Sequence, residues 1–277
     1  MVSLHTLWRN TAAELEQAGV SNARFEAREL ICSIYGYTQE AFLREKDTLV
    51  NEKKLKKPLA RRKDGTPLAH LLGEWDFYGL TLKVTKDVLI PRSDTETLVD
   101  AVLPLAKSRF LDLCTGSGCV GIALAHENPD LQGVLLDNAK GALKVARANV
   151  KRYGLQARLT VVEGDVCRAP SETLGKFDLI VSNPPYITLE EMQDLDRSVG
   201  FYEPTSALYG GVDGFTFYDA ILTRWLNCLA PGGVIALECG YRQAKALAEK
   251  MELVGLTNIE IKQDTAGIDR VVLGTWK

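Results

Sequence analysis

The sequence has few of the residues that build metal centres and disulfide frameworks. Only six cysteines and three histidines occur among its 277 residues, and no two cysteines form a C-x-x-C pair. No histidine lies at zinc-site spacing from a cysteine, so we predict neither a metal site nor a disulfide framework. Reduced thiols are typical of the cytosol. The cysteines are Cys32, Cys114, Cys119, Cys167, Cys228 and Cys239.

A strong net charge and a long apolar run are also lacking. The net charge of −3 and the isoelectric point of about 5.8 argue against a protein that coats nucleic acid. No basic-then-apolar leader and no apolar run of membrane-spanning length is present, which predicts a soluble, cytoplasmic protein without a membrane partner. Only residues 44–63 are strongly basic, with nine Lys or Arg against three acids. A solvated helix face explains this stretch, as does contact with an acidic partner or RNA.

Apolar spacing divides the chain into three parts. Apolar residues recur every three or four positions in Leu4–Leu15, Ala23–Tyr35 and Leu55–Leu72, which predicts a helical domain over residues 1–73. The pattern then changes to alternation from Glu74 to Ile90, with Gly79 as a turn, which predicts a β-hairpin linker over 74–90. Residues 91–277 form the third part.

The third part alternates strand and helix patterns. Strands are predicted at 109–113, 133–137, 158–163, 177–182, 233–239, 258–263 and 270–275, and helices near 93–106, 119–127, 139–152, 215–229 and 241–254. This alternation predicts an α/β fold with a Rossmann-like, doubly wound sheet of seven strands. The last two strands are joined by a short turn that cannot make a parallel crossover, so the last strand should run antiparallel.

The motif Asn183-Pro184-Pro185-Tyr186 directly follows the apolar run Phe177–Ser182. An apolar run that stops at two prolines predicts a buried strand and its end. The amide side chain, the carbonyls and the aromatic ring together suit a planar –NH2 group. Its two N–H bonds need hydrogen-bond acceptors, and an aromatic ring can pack against its plane. The motif therefore favours an amino-group methyltransferase, although Pro-Pro after a strand also serves simply to end it.

A glycine-rich loop follows the first predicted strand of the third part. Within Cys114–Gly121, three glycines match G-x-G-x-x-G, a pattern that suits both nicotinamide dinucleotides and S-adenosylmethionine. Asp137, at the end of the next strand, is placed for the two ribose hydroxyls of either cofactor. Asp112 favours S-adenosylmethionine, because its carboxylate would bind a methionyl ammonium but repel a pyrophosphate.

Asp165 follows the third strand of the third part. Its carboxylate, or the backbone of the next residue, Val166, is placed to bind the amino edge of adenine. An aspartate at this position also serves simply to cap a loop. The predicted cofactor-binding residues are Asp112, Cys114, Thr115, Gly116, Ser117, Gly118, Asp137, Asp165, Val166 and Asn183.

The predicted chemistry needs no general base. The Asn183 side-chain oxygen and the Pro184 carbonyl would accept both N–H bonds of an amide and favour positive charge on its nitrogen. They would also aim the nitrogen lone pair at a methyl group, while Pro185 and Tyr186 flank the amide. None of His5, His70 and His126 ends a strand. We predict Asn183, Pro184 and Tyr186 as catalytic residues, and the whole motif as substrate-binding.

Together these motifs make the chain resemble the protein-(glutamine-N5) methyltransferases of class 1 peptide chain release factors, the HemK/PrmC type. The matching segments, besides the Asn183 motif, are Arg61-Arg62…Gly65-x-Pro67, Phe77-Tyr78-Gly79-Leu80, Leu89–Glu96, Asp112–Gly118 and Tyr202-Glu203-Pro204…Ala207-Leu208…Gly210-Gly211-x-Asp213-Gly214. The resemblance implies an N-terminal helical domain that docks the release factor, followed along the chain by a class I S-adenosylmethionine-dependent methyltransferase domain. It also implies a monomer, without direct DNA contact, that methylates the glutamine of a Gly-Gly-Gln motif. The alternatives are an amino-directed DNA adenine or rRNA guanine methyltransferase, and a non-catalytic module that binds a release factor or the ribosome.

Two positions depart from the family pattern. Ser93 replaces the proline that usually follows Ile-Pro-Arg, and Ser93-x-x-Glu96 predicts a capping box that keeps the helix start. Cys114 replaces the first loop glycine, and its β-carbon disfavours a positive φ. We therefore expect a rearranged loop or looser cofactor binding at Cys114.

Overall fold

A computed structural model describes all residues, 1–277, and divides them into two compact units. Unit 1 contains residues 1–73 and 197–202, and unit 2 contains residues 74–196 and 203–277. None of the helices combines the length and the apolar character needed to cross a membrane.

Unit 1 is helical. Its helices are α1 (Leu4–Gln17), α2 (Ala23–Tyr35), α3 (Gln39–Arg44), α4 (Lys56–Lys63) and α5 (Leu68–Leu72), with one further helical turn at Arg197–Gly200. Two short strands, β1 (Val2–Ser3) and β2 (Leu49–Val50), pair antiparallel. Helix α1 forms because Leu4, Leu7 and Leu15 bury one face, and the Ser3 side chain accepts a hydrogen bond from the Thr6 N–H at its start.

The third amphipathic stretch predicted in unit 1, Leu55–Leu72, contains two helices in the structure. Gly65-Thr66-Pro67, a break signal in the sequence, separates α4 from α5. Gly65 has a φ of +100°, a conformation that continues neither helix, and proline cannot donate the next helical hydrogen bond. Most basic side chains of residues 44–63 are exposed, as expected for a solvated face.

The hairpin opens unit 2. Strands β3 (Glu74–Phe77) and β4 (Leu80–Lys83) pair antiparallel around Tyr78 and Gly79, whose φ values are +51° and +72°. Two positive φ values match a two-residue hairpin turn with the twist of the strands. Phe77, Leu80 and Leu82 are buried in the core of unit 2. The hairpin is therefore part of this unit's hydrophobic core.

The remaining strands of unit 2 form one seven-stranded sheet. They are β5 (Arg109–Leu113), β6 (Gln132–Asp137), β7 (Leu159–Glu163), β8 (Phe177–Ser182), β9 (Leu229–Glu238), β10 (Thr257–Gln263) and β11 (Asp269–Thr275). Their order is β10-β11-β9-β8-β5-β6-β7, and β11 alone runs antiparallel to the other six strands. The predicted α/β fold and its antiparallel last strand are thus confirmed.

Helices cover both faces of this sheet. They are α6 (Glu96–Val102), α7 (Cys119–Glu127), α8 (Lys140–Arg152), α9 (Thr216–Arg224) and α10 (Ala244–Leu253). One apolar cluster contains residues of α6, α7 and the hairpin, and a second contains residues of α9 and α10. Because strand order reverses on the two sides of β5, the carboxyl ends of β5, β6 and β8 border the place where ligands bind in such sheets.

The capping box predicted at Ser93 is wrong. Residues Ser93–Thr95 form a 3₁₀ turn without a side-chain cap. The Glu96 carboxylate instead accepts a hydrogen bond of 2.7 Å from the Tyr78 N–H in the hairpin. This long-range contact takes the side chain that a capping box would need.

Candidate active site

A cavity of about 310 Å³ lies in unit 2, at the carboxyl ends of the central strands. Its lining includes Asp112 near the end of β5, Asp137 at the end of β6 and Val166 after β7. Asn183 and Pro185, directly after β8, also line it. Four neighbouring parallel strands thus bring together residues that are far apart in the sequence. The volume is in the range of small-molecule sites.

Asp112 is a buried carboxylate without a cationic partner. It is 1% exposed, and its Oδ2 accepts hydrogen bonds from the Thr115 hydroxyl at 2.6 Å and the Gly121 N–H at 3.1 Å. Burial raises the pKa of Asp112 to about 7, against the opposing effect of these two bonds. Both bonds reach Oδ2, which leaves Oδ1 for a ligand. A cationic group in the cavity would stabilise the ionised form, so the site fits an ammonium.

The loop after β5 is tied to β6. The Thr115 N–H donates to the Leu136 carbonyl at 3.0 Å, and the Gly116 N–H donates to Asp137 Oδ2 at 2.9 Å. Asp137 Oδ1 accepts a second bond, from the Ala139 N–H at 2.9 Å. Each carboxylate oxygen keeps a lone pair for a hydroxyl, so Asp137 fits a ribose while it also holds the loop. Burial raises the pKa of Asp137.

Cys114 has the left-handed conformation that the family's glycine would take easily. Its φ is +56°, beside +56° at Gly116 and +83° at Gly118. A β-carbon in this region costs about 1 kcal/mol. Cys114 lines the cavity, and burial raises the pKa of its thiol, which stays protonated. The loop keeps the glycine-like conformation despite the β-carbon.

Asp165 and Val166 have different positions. Val166 is buried and lines the cavity, whereas Asp165 does not line it. The Asp165 carboxylate accepts a hydrogen bond of 2.9 Å from the Cys167 N–H and lies 3.7 Å from the Arg168 guanidinium. These contacts close a turn of the Asx type. Contact of the Asp165 side chain with adenine stays a prediction.

The amide of Asn183 is oriented by a neighbouring hydroxyl. Its Nδ2 donates to the Thr95 Oγ1 at 3.1 Å. Its Oδ1 makes no hydrogen bond within the protein, and neither does the Pro184 carbonyl oxygen. Two acceptors, one from a side chain and one from the backbone, are therefore available next to each other. A planar group with two N–H bonds needs such a pair.

The rest of the motif is held by a later loop. The Tyr186 carbonyl accepts a hydrogen bond of 3.1 Å from Gln243 Nε2, and Ile187 pairs with Leu208 and Gly210 through two backbone bonds of 2.9 Å. A β-carbon at Gly210 would lie 2.6 Å from the Tyr186 Cα, so only glycine permits this approach. Pro184 and Tyr186 do not line the cavity, and their roles stay predictions.

Several residues that line the cavity, and Glu203, which supports it without lining it, are missed by sequence reasoning. Glu203, whose side chain is 1% exposed, accepts a bond of 2.9 Å from the Ile90 N–H and pairs with the Arg92 guanidinium. This contact joins two segments more than a hundred positions apart, which no local pattern reveals. It places Arg92 and Pro204 at the cavity. The other missed lining residues include Val88, Leu89, Thr95, Asn138, Ala139 and Phe217.

Two family models and many known sequences match the chain. Residues 93–197 match the family model of the methyltransferase small domain, and residues 6–73 match that of the PrmC N-terminal domain. The chain is 39% identical to the release factor glutamine methyltransferase of Rhodospirillum rubrum, over 95% of this chain and 82% of the relative. It is also 39% identical to that of Geobacter sulfurreducens, over 95% and 93%.

A solved structure supports the fold alone. The methyltransferase from Pyrococcus furiosus superposes with a TM-score of 0.55 at 18% identity, over 79% of this chain and 98% of that chain. The sequence relatives, matched over nearly their full length, show the family. The chain belongs to the release factor glutamine methyltransferases.

Proposed function

We propose that the protein transfers a methyl group from S-adenosylmethionine to the side-chain amide nitrogen, N5, of the glutamine in the Gly-Gly-Gln motif of a peptide chain release factor. One observation carries this proposal. Asn183 Oδ1 and the Pro184 carbonyl oxygen are both without partners, while Asn183 Nδ2 is bound to Thr95. An amide –NH2 is the group that this pair of acceptors fits.

The cofactor would be held by carboxylates and apolar walls. Asp112 would bind the methionyl ammonium and Asp137 the ribose hydroxyls, while Leu136 and Val166 supply apolar surface for the adenine. When bound, S-adenosylmethionine supplies a methyl group on a sulfonium, which a nitrogen lone pair displaces. The loop at Thr115 and Gly116 keeps Asp112 and Asp137 in position through its hydrogen bonds to both.

Asn183 and Pro184 would position the substrate amide. By accepting its two N–H bonds, they direct the nitrogen lone pair and stabilise the positive charge that develops on nitrogen. No histidine lines the cavity. Of its three lining carboxylates, Asp112 and Asp137 are assigned to the cofactor, and Asp87 accepts a hydrogen bond from the Thr85 hydroxyl. The nitrogen therefore loses its proton after the methyl transfer, when it is strongly acidic.

We infer that unit 1 recognises the release factor and that the substrate is a protein, with no direct contact to DNA. The match to the PrmC N-terminal domain supports this role. We also infer a monomer. A truncated chain that begins at Glu74 keeps the hairpin, whose Phe77, Leu80 and Leu82 belong to the core of unit 2. Its transfer to a short Gly-Gly-Gln peptide should fall less than its transfer to an intact factor. Equal losses would contradict a docking role.

Methyl transfer to several candidate substrates tests the proposal. Labelled S-adenosylmethionine is incubated with the protein and, separately, a release factor, DNA and rRNA, and the factor is then digested and analysed by mass spectrometry. We expect label only in the factor, on the glutamine of the Gly-Gly-Gln peptide. Label in DNA or rRNA would support an amino-directed nucleic-acid enzyme. S-Adenosylhomocysteine binding without transfer to any substrate would support a binding module.

A further inference from the structure

Glu238 is a buried carboxylate to which neither the sequence nor the proposed reaction assigns a role. It is the last residue of β9 and is 1% exposed. Its Oε2 has no hydrogen-bond partner. A buried acceptor without a donor is destabilising, and few occur in native proteins. Glu238 does not line the cavity, and its almost complete burial leaves no surface for a substrate to contact.

The sheet register brings Glu238 next to Asn183. Strands β8 and β9 are parallel neighbours in which Ser182 lies opposite Leu237. The next residues of the two strands, Asn183 and Glu238, therefore emerge side by side. The polar side chains of Thr95 and Asn183 favour the ionised form of Glu238, although burial has the larger effect and raises its pKa to about 7. Asn183 Nδ2 donates to Thr95 Oγ1, so Thr95, Asn183 and Glu238 form one polar group in which Thr95 and Glu238 are buried and Asn183 is half-buried.

We propose that Glu238 is a positioning residue that fixes the orientation of the Asn183 amide and polarises it toward the substrate. A flipped amide would turn Oδ1 toward the carboxylate and Nδ2 toward the cavity, and the two oxygens would repel each other. With Nδ2 bound to the Thr95 Oγ1 at 3.1 Å, on the side where the register places Glu238, Oδ1 remains the available acceptor. The negative charge at the –NH2 end also shifts electron density to Oδ1, which strengthens its bond to the substrate N–H. This inference rests on the proposed function.

The charge of Glu238 is not neutralised by an ion pair. Arg270, on β11, is the cation that lowers the pKa of Glu238, but its guanidinium is bound to Asp264 at 3.1 Å and lies 3.2 Å from Asp94. Asp94 raises the pKa of Glu238. The other ionisable groups that interact with Glu238 are the side chains of Tyr186, Tyr218, Cys119 and Cys239. The field of Glu238 therefore acts mainly on its polar neighbours, Thr95 and Asn183.

The variant Glu238→Gln keeps the size of the side chain and an acceptor for Asn183, but removes the charge. We expect kcat at saturating cofactor and release factor to fall by about tenfold. The KM for the factor and the affinity for S-adenosylhomocysteine should stay within about twofold, because Glu238 touches neither. The matched control is Asp178→Asn, at the opposite end of β8, where the carboxylate binds Ser108 and the Arg109 N–H. Its kcat should equal that of the wild type.

The pH profile provides a second readout that needs no variant. The wild-type kcat should rise between about pH 6 and pH 8, one unit to either side of the pKa of Glu238, as its charge develops. Glu238→Gln should lack this rise. Asp112 has a pKa in the same range, but a saturating cofactor would hold it ionised, so kcat would not report it.

Three outcomes separate the two proposals. An active wild type whose kcat does not vary over this pH range, or an active Glu238→Gln variant with wild-type kcat and pH profile, would refute the role of Glu238 alone. A folded wild type that binds S-adenosylhomocysteine but transfers nothing to the factor would refute the proposed function, and this inference with it. A lower kcat with unchanged KM, and loss of the pH-dependent rise, would support both.

Discussion

Two groups of polar residues serve the cavity, and they are built in different ways. The Asp112 group consists of Asp112, Thr115, Gly116 and Asp137, and its hydrogen bonds join residues 3 to 21 positions apart. The Asn183 group consists of Thr95, Asn183 and Glu238, and its bond between Thr95 and Asn183 spans 88 positions. The first group is one loop and the strands on either side of it, whereas the second is assembled only when the sheet forms.

Because the two groups present different chemical groups to the cavity, we expect one to determine cofactor affinity and the other to determine the rate of methyl transfer. The Asp112 group presents carboxylates with remaining lone pairs, so its substitutions should change cofactor affinity. The Asn183 group presents an oriented amide oxygen, so its substitutions should change the rate of transfer while cofactor affinity remains. A substitution in the Asp112 group that lowers only the transfer rate, or one in the Asn183 group that lowers only cofactor affinity, would contradict this assignment.

The largest effect is expected for Asn183→Ala. Loss of one preorganised acceptor should lower kcat by about a hundredfold or more, while much of the affinity for S-adenosylhomocysteine remains. Single-turnover transfer to a release factor and titration calorimetry measure the two quantities. Asn183→Asp, which keeps an acceptor, should be less damaging. Wild-type rates in both variants would exclude Asn183 from the mechanism.

The second prediction concerns Asp137→Ala. The substitution should weaken S-adenosylhomocysteine binding by about 1–3 kcal/mol, because it removes a charged acceptor for the ribose. It also removes the acceptor of the Gly116 N–H, so the loop should loosen as well. Titration calorimetry measures the loss, and the wild type should show no binding of NAD in the same experiment. An unchanged affinity would remove Asp137 from the site.

The third prediction concerns the pH dependence that Asp112 gives to binding and stability. The pKa of Asp112 is about 7 in the folded protein, above the value of 3.8 for an unburied aspartate. Between these values the folded state holds a proton that the unfolded state has lost, so stability should decrease as pH rises through this window. An ammonium requires the ionised carboxylate, so binding should weaken by about tenfold per pH unit below 7.

Thermal unfolding with and without S-adenosylhomocysteine measures both effects. The melting temperature of the protein alone should fall as pH rises from about 4 to 7, and the increase on adding ligand should be largest above that range. Asp112→Asn should flatten the pH dependence of the ligand-induced increase, and it should reduce the fall in the melting temperature of the protein alone, to which Glu238, with a pKa of about 7, also contributes. If the ligand-induced increase is the same at every pH, Asp112 does not bind the ammonium.

The two groups also differ in how far the sequence predicts them. Asp112, Asp137 and Asn183 were predictable because each lies at or near the end of an apolar run, and strand ends meet at one edge of a parallel sheet. Strand β8 was predicted with its observed bounds for the same local reason. The long-range contacts of Glu203 and the position of Glu238 beside Asn183 were not predictable, since the residues near them lie in other segments of the chain. The Ser93 capping box failed because Glu96 bonds to the hairpin.

The smallest effect is expected at Cys114, where the issue is a single β-carbon in the Asp112 group's loop. Cys114→Gly should relieve the strain of φ +56° and raise stability by about 1 kcal/mol at most, since the greater freedom of unfolded glycine offsets part of the gain. Cofactor affinity and transfer rate should be equal or slightly improved.

Two control variants separate the β-carbon of Cys114 from its thiol. Cys114→Ala keeps the β-carbon, so it should behave as the wild type in thermal unfolding, calorimetry and transfer. Gly118→Ala adds a β-carbon at φ +83°, 3.0 Å from Ile122 Cδ1, and should lower stability. If Cys114→Ala and Cys114→Gly both lose transfer activity, the thiol has a role in the site. The loop would then contribute a side chain to the reaction in addition to its backbone conformation.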